Sequence, residues 1–218
     1  MTETPFFHAV VFDMDGVLLD SETVYDICWR KEAGRLGLPD IDSVHRQCLG
    51  RGEEESIQLL KAAYGAAFDG KAFWDATDRY CAQIEQEQGM PLKPFAREIL
   101  TYLRNVHYPL ALASSTGRAT VQRQLGLLGF DVFFDAIICG DEVAHAKPAP
   151  DIYRKACELL GAEPRHCIAI EDSPNGVLSA HRAGLSCVMI PDRLQPDEKI
   201  KSILTHLCTS LDDLKQFL

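Results

Sequence analysis

An apolar run that ends in two closely spaced carboxylates constrains this chain more than any other feature of its sequence. Residues 10–18 are Val-Val-Phe-Asp-Met-Asp-Gly-Val-Leu. Side chains alternate across a strand, so Asp13 and Asp15 point to the same side. A strand ending there places both at its C-terminal edge, where open α/β sheets hold their ligands. Two like charges this close repel, which favours a nearby cation or a raised pKa in one carboxyl.

Strand and helix patterns alternate through the second half of the chain. Short apolar runs typical of buried strands occupy residues 110–113, 136–139, 167–170 and 187–190. Helical patterns lie before and between them, at residues 99–106, 118–128, 152–160 and 175–183. Such alternation predicts an α/β fold, with a Rossmann-like parallel sheet covered by helices on both faces.

A helical block interrupts this pattern immediately after the first strand. Helical stretches are predicted at residues 40–49, 53–64 and 70–88, and the segment Gly89-Met90-Pro91-Leu92-Lys93-Pro94 breaks the pattern again. We therefore expect a core domain formed by residues 1–19 and 91–218. Residues 20–90 are expected to form an inserted α-helical cap domain.

Composition limits the classes of partner. The 218 residues contain 32 acidic and 22 basic side chains, for a formal net charge of −10. Such a surface has no general attraction for nucleic acid or for an anionic membrane. No segment approaches the roughly 18 consecutive apolar residues of a membrane span, and the N-terminus lacks the features of a signal peptide. We expect a cytoplasmic monomer whose eight scattered cysteines are reduced.

The later predicted strands also end in chemically useful groups. Ser114 ends the second strand, and Glu171 with Asp172 ends the fourth. Lys147 lies in the loop between the third and fourth strands, where Pro148 disfavours helix and keeps Lys147 extended. Because the carboxyl ends of parallel strands share one edge, these residues should become neighbours of the first two carboxylates.

These residue types indicate phosphoryl chemistry. Oxygen ligands such as Asp13, the Asp15 carbonyl and Asp172 suit Mg²⁺. Lys147 supplies a compact positive charge and Ser114 a hydroxyl donor for phosphoryl oxygens. A carboxylate nucleophile can form an acyl phosphate, which divides one difficult displacement into two easier steps. A second carboxylate can protonate the leaving oxygen and then activate water.

The same residues, in the same order, resemble the motifs of the haloacid dehalogenase superfamily. The β-phosphoglucomutase-like phosphatase subfamily, with its helical cap after the first strand, is the nearest match, and the resemblance spans about residues 7–190. The matching segments are Asp13-x-Asp15-Gly16-Val17, Asp20-Ser21-Glu22, Ser114, Lys147-Pro148-Ala149-Pro150-Asp151 and Glu171-Asp172-Ser173.

The resemblance implies a role for each site residue. Asp13 would be the nucleophile and Asp15 the general acid and base. Mg²⁺ would be bound by Asp13, the backbone of Asp15 and Asp172, with Glu171 as a ligand or as support. Ser114 and Lys147 would hold the phosphoryl group. The implied activity is Mg²⁺-dependent hydrolysis of small phosphate monoesters, sugar phosphates above all, through an aspartyl-phosphate intermediate.

Two other functions remain open at this point. A β-phosphoglucomutase-type mutase needs a second phosphate site under its cap. In this chain Tyr25 and Glu53 stand where the mutase has a histidine and an arginine, and this difference disfavours a mutase. Arg51, two residues from Glu53, could still supply a basic group, so the mutase interpretation stays open. A non-catalytic phosphate-binding protein would normally have lost Asp13 or Asp15, and both are present.

Substrate-binding residues are weaker predictions. Tyr25 and Trp29 either project from the first cap helix towards substrate or pack in the cap, as aromatic residues at helical spacing usually do. Arg51, in a glycine-flanked cap turn, either reaches substrate or points to water. At the second strand end the candidates are Ser115, Thr116 and Arg118, of which Arg118 begins a helix and could equally be solvated.

Overall fold

One parallel sheet of six strands organises the larger part of the molecule. The computed structural model describes residues 7–49 and 51–218. Within these ranges the strands are β1 (Ala9–Phe12), β2 (Leu110–Ala113), β3 (Ala136–Ile138), β4 (Cys167–Glu171), β5 (Ser186–Met189) and β6 (His206–Leu207). They pair in the order β3-β2-β1-β4-β5-β6. This is the predicted doubly wound parallel sheet.

Strand β1 lies at the point where the strand order reverses. Val11 pairs with Ala111 of β2 on one side and with Ala169 of β4 on the other. All four residues of β1 are buried, as expected for a parallel strand covered on both faces. Open α/β sheets bind ligands at the carboxyl ends of the strands beside such a reversal. The residues that follow β1 therefore occupy the position where a ligand site is expected.

Nine α-helices lie within the described ranges. They are α1 (Ser21–Leu36), α2 (Ile41–Cys48), α3 (Glu53–Tyr64), α4 (Gly70–Gln88), α5 (Ala96–Asn105), α6 (Arg118–Leu128), α7 (Asp151–Leu160), α8 (Pro174–Ala183) and α9 (Glu198–Lys201). The predicted bounds of α3, α4 and α6 are confirmed. Helix α9 and strand β6 were not predicted, because segments of four and two residues are too short to show a periodic pattern.

The chain divides into two compact units. One comprises the described residues up to Asp20 together with Pro91–Leu218, and the other is Ser21–Met90. Asp20 belongs to the first unit rather than to the predicted cap, since its N–H donates to the Pro91 carbonyl at 2.8 Å. Leu19 and Leu92 form an antiparallel bridge beside this bond. The entering and leaving segments of the insertion are thus paired within the sheet unit.

Each unit has its own apolar core. In the sheet unit, one face of the sheet packs on α7 and α8 through side chains such as Tyr153 and Val177. In Ser21–Met90 the core centres on Trp29, whose ring meets that of Phe73 edge-on at 5.1 Å between centroids. Each unit therefore buries its apolar side chains in a core of its own.

Two sequence-based expectations concern the cysteines, expected to be reduced, and the helices, none of which was expected to span a membrane. All eight cysteines fall within the described ranges and are buried, and none of them forms a disulfide. They act as small core residues. None of the helices in these ranges is long and apolar enough to cross a membrane.

Candidate active site

Asp13 extends the pairing of β1 with β4 by one residue. Its N–H donates to the Ile170 carbonyl at 2.9 Å, which continues the register beyond the Phe12–Ile170 pair. The side chain of Asp13 is buried, with the residue 7% exposed. A buried carboxylate needs a compensating charge or hydrogen bonds. Both are present here.

Lys147 provides the compensating charge. Its Nζ lies 2.6 Å from Oδ1 of Asp13 and 2.7 Å from Oε1 of Glu171, and it donates to the Ala113 carbonyl at 2.9 Å. An ammonium has three N–H donors, and these three acceptors match them, with the Tyr153 hydroxyl more distant at 3.5 Å. The Lys147 side chain is only 8% exposed. The loop between β3 and α7 therefore delivers one buried positive charge to the ends of β1, β2 and β4.

The protonation behaviour of this pair follows from burial and neighbouring charge. Burial raises the pKa of Asp13; Lys147 opposes this, Glu171 and Asp15 add to the rise, and the pKa is about 7. Burial acts to lower the pKa of Lys147, but Asp13 and Glu171 outweigh it and raise that pKa above its ordinary value. Lys147 is therefore charged at neutral pH. An additional cation would favour the ionised form of Asp13.

Glu171 is enclosed by donors on both carboxylate oxygens. Its Oε1 accepts from Lys147 and, at 2.6 Å, from the Tyr153 hydroxyl. Its Oε2 accepts from the backbone N–H of Asp172 at 3.2 Å and from the N–H and hydroxyl of Ser173. A Cβ at Gly176 would collide with this carboxylate. The 1% exposed Glu171 is thus a fully bonded anchor for Lys147.

Three carboxylates lie close enough together to hold a cation. Oxygen atoms of Asp13, Glu171 and Asp172 all lie within 4.8 Å of one another. The loop after β1 approaches Asp172 closely at Gly16, which has φ +78° and no room for a Cβ beside the Asp172 carboxylate. Only glycine meets both demands. The glycine that follows Asp15 is therefore required by the position of Asp172.

Asp15 is held by two hydroxyls from the end of β2. Thr116 Oγ1 donates to Asp15 Oδ2 at 2.8 Å, and Ser114 Oγ lies 3.4 Å from the same oxygen. The N–H of Thr116 donates in turn to Ser114 Oγ at 3.1 Å. Ser114, predicted to bind the phosphoryl group, is buried beside Asp15. The structure places the hydroxyl of Thr116, predicted to bind substrate, against the Asp15 carboxylate.

Ser115 and Arg118, the other two substrate-binding candidates at this strand end, have different surroundings. Ser115 is exposed at the rim of the sheet. The Arg118 guanidinium donates to the Ile137 carbonyl at 2.6 Å and to Glu142 at 2.5 Å. These bonds tie Arg118 to the end of β3, so it is not the freely solvated arginine of the alternative prediction; its contact with substrate stays a prediction. Sequence spacing alone could not reveal its two acceptors, which lie 19 and 24 residues away.

The cap candidates contact their own unit. Trp29 is 2% exposed and stacks on His45 at 4.4 Å between ring centroids, which is the packing alternative of the two predicted for it; its contact with substrate stays a prediction. Tyr25 is half-buried and packs against the same core. Arg51 is exposed; its guanidinium donates to the Gln47 carbonyl at 2.8 Å and lies 3.5 Å from Glu55.

Tyr153 is a site residue that sequence reasoning missed, and Ser173 was named in a matching segment without a role. Tyr153 lies on the buried face of α7, where nothing in an apolar helical pattern marks its hydroxyl as a bond to Glu171. Burial raises the pKa of Tyr153 well above its ordinary value, so the phenol stays a donor. Ser173 caps α8 by accepting from the Gly176 N–H at 3.2 Å. The Ser-Pro pair was the available signal.

Comparisons with known proteins identify close relatives. A family model for haloacid dehalogenase-like hydrolases matches residues 7–184. A phosphorylated carbohydrates phosphatase of Thermotoga maritima is 32% identical over 183 residues, which are 81% of this chain and 82% of that protein. A validoxylamine A 7'-phosphate phosphatase of Streptomyces hygroscopicus subsp. limoneus is 34% identical over 188 residues, 84% of each chain. The crystal structure of CbbY from Rhodobacter sphaeroides in complex with phosphate matches with a TM-score of 0.80 at 27% identity, covering 95% of this chain and 96% of that one.

Proposed function

Because the chain belongs to the haloacid dehalogenase-like hydrolase family, we propose that it is a phosphatase that hydrolyses the phosphate monoesters of small carbohydrates. The observation that carries this proposal is the bond between Lys147 Nζ and Asp13 Oδ1 at 2.6 Å, in a site where a second carboxylate, Asp15, lies two residues away. A buried, oriented carboxylate with a proton-carrying neighbour is the arrangement that covalent phosphoryl transfer needs.

Asp13 and Asp15 divide the chemistry between them. In the first step an Asp13 carboxylate oxygen attacks phosphorus, and the bond from phosphorus to the ester oxygen breaks with its electron pair on that oxygen. The protonated Asp15 carboxyl gives its proton to the same oxygen. The products are an aspartyl phosphate at Asp13, a neutral alcohol and an ionised Asp15.

Water completes the cycle in a second step. The Asp15 carboxylate takes a proton from a water molecule as the water oxygen attacks phosphorus. The bond between phosphorus and Asp13 breaks, which releases inorganic phosphate and restores the Asp13 carboxylate. Asp15 is again protonated, so one water is consumed for each monoester and both residues return to their starting states.

Lys147 and Ser114 orient the reacting groups. Lys147 holds Oδ1 of Asp13 and, as the one lysine among the described residues bonded to Asp13, places positive charge beside the phosphoryl oxygens. Ser114, buried at the end of β2, supplies a hydroxyl for those oxygens. Preorganised charge of this kind lowers the barrier because no solvent has to reorganise during the reaction.

A divalent cation fits the donor set of this site. Lys147 carries one positive charge against the carboxylates of Asp13, Glu171 and Asp172, and a metal ion would balance the excess. We propose that Asp13, the Asp15 carbonyl and Asp172 hold Mg²⁺, with Glu171, whose oxygens are engaged by donors, in support. When bound, the ion neutralises charge on the phosphoryl oxygens.

The substrate class is proposed from the relatives and from the charge of the chain. One relative is named a phosphorylated carbohydrates phosphatase and another a validoxylamine A 7'-phosphate phosphatase. The net charge of −10 gives no general attraction for a polyanion, so recognition must come from the local site. A small sugar phosphate, bound by its single phosphoryl group, meets this condition.

A mutase would need a second phosphate site in the cap. The residue at the mutase arginine position, Glu53, pairs with Lys71 at 3.0 Å, and Arg51 pairs with Glu55. Both basic groups therefore already have acidic partners within Ser21–Met90. These pairings favour hydrolysis over phosphoryl rearrangement.

A phosphate-release screen tests the proposal. Purified protein is incubated with sugar 1-phosphates, sugar 6-phosphates, glycerol phosphate and nucleoside monophosphates, each with Mg²⁺ and with EDTA. We expect Mg²⁺-dependent phosphate release that Asp13→Asn abolishes and that Asp131→Asn, at an exposed carboxylate, leaves intact. Conversion of β-glucose 1-phosphate in the presence of a bisphosphate activator, with no phosphate release from any compound, would establish the mutase instead.

A further inference from the structure

We propose that Thr116 is a positioning residue that holds the Asp15 carboxyl in the orientation needed for proton transfer. The inference rests on the proposed function, and it replaces the substrate contact expected for Thr116 from the sequence. Thr116 and Asp15 are 101 residues apart, yet Thr116 Oγ1 lies 2.8 Å from Asp15 Oδ2. A threonine at this distance acts through Asp15 rather than on the substrate.

The backbone that carries the Thr116 hydroxyl is hydrogen-bonded to the neighbouring loop. The Thr116 carbonyl accepts from the Gly140 N–H at 3.0 Å, and the Ser114 N–H donates to the Ile138 carbonyl at 3.0 Å. A Cβ at Gly140 would collide with the Ser115 carbonyl, so the loops after β2 and β3 are in close contact. A group fixed in this way orients its partner without first having to be ordered.

Thr116 and Ser114 differ in how firmly they hold Asp15. Ser114 Oγ is 3.4 Å from Asp15 Oδ2, near the limit of a hydrogen bond, whereas the Thr116 bond is 2.8 Å. Ser114 also accepts from the Thr116 N–H. When Ser114 turns to a phosphoryl oxygen, Thr116 still holds Asp15. The two hydroxyls thus have separate tasks.

The Thr116 bond also selects the oxygen of Asp15 that carries the proton. A protonated carboxyl has one carbonyl oxygen, which accepts, and one hydroxyl oxygen, which donates. When Oδ2 accepts from Thr116, the proton of the acid form resides on Oδ1. In the first step that proton passes to the ester oxygen as its bond to phosphorus breaks. Without Thr116 the carboxyl can rotate and present either oxygen.

Two substrates with different leaving groups distinguish a positioning role of Thr116 from a role in phosphate binding or folding. An alkyl phosphate leaves as an alkoxide, which needs the proton from Asp15, whereas p-nitrophenyl phosphate leaves as a stable phenolate that does not. The ratio kcat/KM reports the steps up to release of the leaving group. It therefore excludes the second step, in which Asp15 acts as a base for both substrates.

The experiment measures kcat/KM of wild type, Thr116→Val and Thr116→Ser on a sugar phosphate and on p-nitrophenyl phosphate at saturating Mg²⁺. General acid catalysis contributes roughly 10²–10⁴-fold, so we expect Thr116→Val to lose about 10–100-fold on the sugar phosphate and less than about threefold on the aryl phosphate. Thr116→Ser, which keeps the hydroxyl, should stay within about threefold of wild type on both. Thr116→Ala repeats the test if the valine variant melts at a lower temperature than wild type.

Three results would overturn the inference or its basis. Equal losses of Thr116→Val on both substrates would show that Thr116 contacts the phosphoryl group or supports the fold. No loss on either would show that Asp15 needs no partner. Wild-type protein inactive on both substrates would remove the proposed function itself, a failure distinct from the first two because those require an active enzyme.

Discussion

The ammonium of Lys147 bonds to Asp13 at 2.6 Å and to Glu171 at 2.7 Å, although 134 and 24 residues separate it from them in the sequence. One buried cation therefore joins the ends of two neighbouring strands. Removing one partner from such a group leaves the others as uncompensated buried charges. We therefore expect the same contacts to stabilise the fold and to orient the Asp13 carboxylate.

Replacing Lys147 should destabilise the protein as well as inactivate it. In Lys147→Met the carboxylates of Asp13 and Glu171 lose their shared cation, and breaking a buried pair costs about 3–5 kcal/mol. Urea denaturation measures the change in free energy of unfolding. Lys215→Met removes an exposed pair with Asp212 and should cost less than about 1 kcal/mol. Similar values for the two variants would contradict the buried network.

Removing the Tyr153 hydroxyl should weaken the same network more mildly. Tyr153→Phe keeps the ring that packs beside Lys147 and deletes the donor to Glu171, together with a long 3.5 Å contact from Lys147 Nζ to the same hydroxyl. Hydrogen bonds to charged groups contribute about 1.5–3 kcal/mol, and we expect the free energy of unfolding to fall by that amount. In Tyr64→Phe, which loses an exposed bond to the Pro39 carbonyl, the fall should be smaller. An unchanged free energy of unfolding in Tyr153→Phe would show that Glu171 does not need the hydrogen bond from the Tyr153 hydroxyl.

Gly16 is predicted to be indispensable for a reason beyond its backbone angle. Gly16→Ala places a Cβ against the Asp172 carboxylate, whereas Gly37→Ala, at a similar φ of +67°, meets nothing within 4 Å. Both variants incur left-handed strain of roughly 1–2 kcal/mol. Only Gly16→Ala should also lose Mg²⁺-dependent phosphatase activity, because it displaces Asp172. Equal activity in the two variants would count against Asp172 as a functional group.

Mg²⁺ should stabilise the folded chain through the carboxylates of Asp13 and Asp172. A ligand at about 100 times its Kd adds about 2.7 kcal/mol to stability. We expect thermal melting of wild-type protein to shift upwards with Mg²⁺ and to return to the metal-free value with EDTA. The shift should shrink in Asp172→Asn and persist in Asp131→Asn. An undiminished shift in Asp172→Asn would place the ion elsewhere.

Local pattern allowed much of the fold to be predicted. The run ending in Asp13 and the alternation from residue 110 onward specify a parallel sheet, because each buried strand and each amphipathic helix has its own period. The order of strand ends then placed Lys147 and Glu171 beside Asp13. These predictions depend on the order of strands and helices, and the hydrophobic periodicity of a single sequence is enough to predict that order.

Side-chain partners could not be predicted in the same way. Thr116 and Arg118 lie on the same loop end, but one bonds to Asp15 and the other to Ile137 and Glu142. Trp29 was expected either to meet substrate or to pack, and its burial is decided by contacts with His45 and Phe73 from other helices. Such choices depend on distances between elements, which no local sequence pattern contains.

Trapping a phosphoryl group on Asp13 tests the central claim most directly. Protein in the steady state with a sugar phosphate and Mg²⁺ is treated with borohydride, which reduces an aspartyl phosphate to homoserine, and the peptide spanning Asp13 is analysed by mass spectrometry. We predict homoserine at residue 13 in wild-type protein during turnover, and none without substrate or in Asp13→Asn. Steady phosphate release with an unmodified Asp13, or with homoserine at another aspartate, would contradict the assignment of Asp13 as the nucleophile.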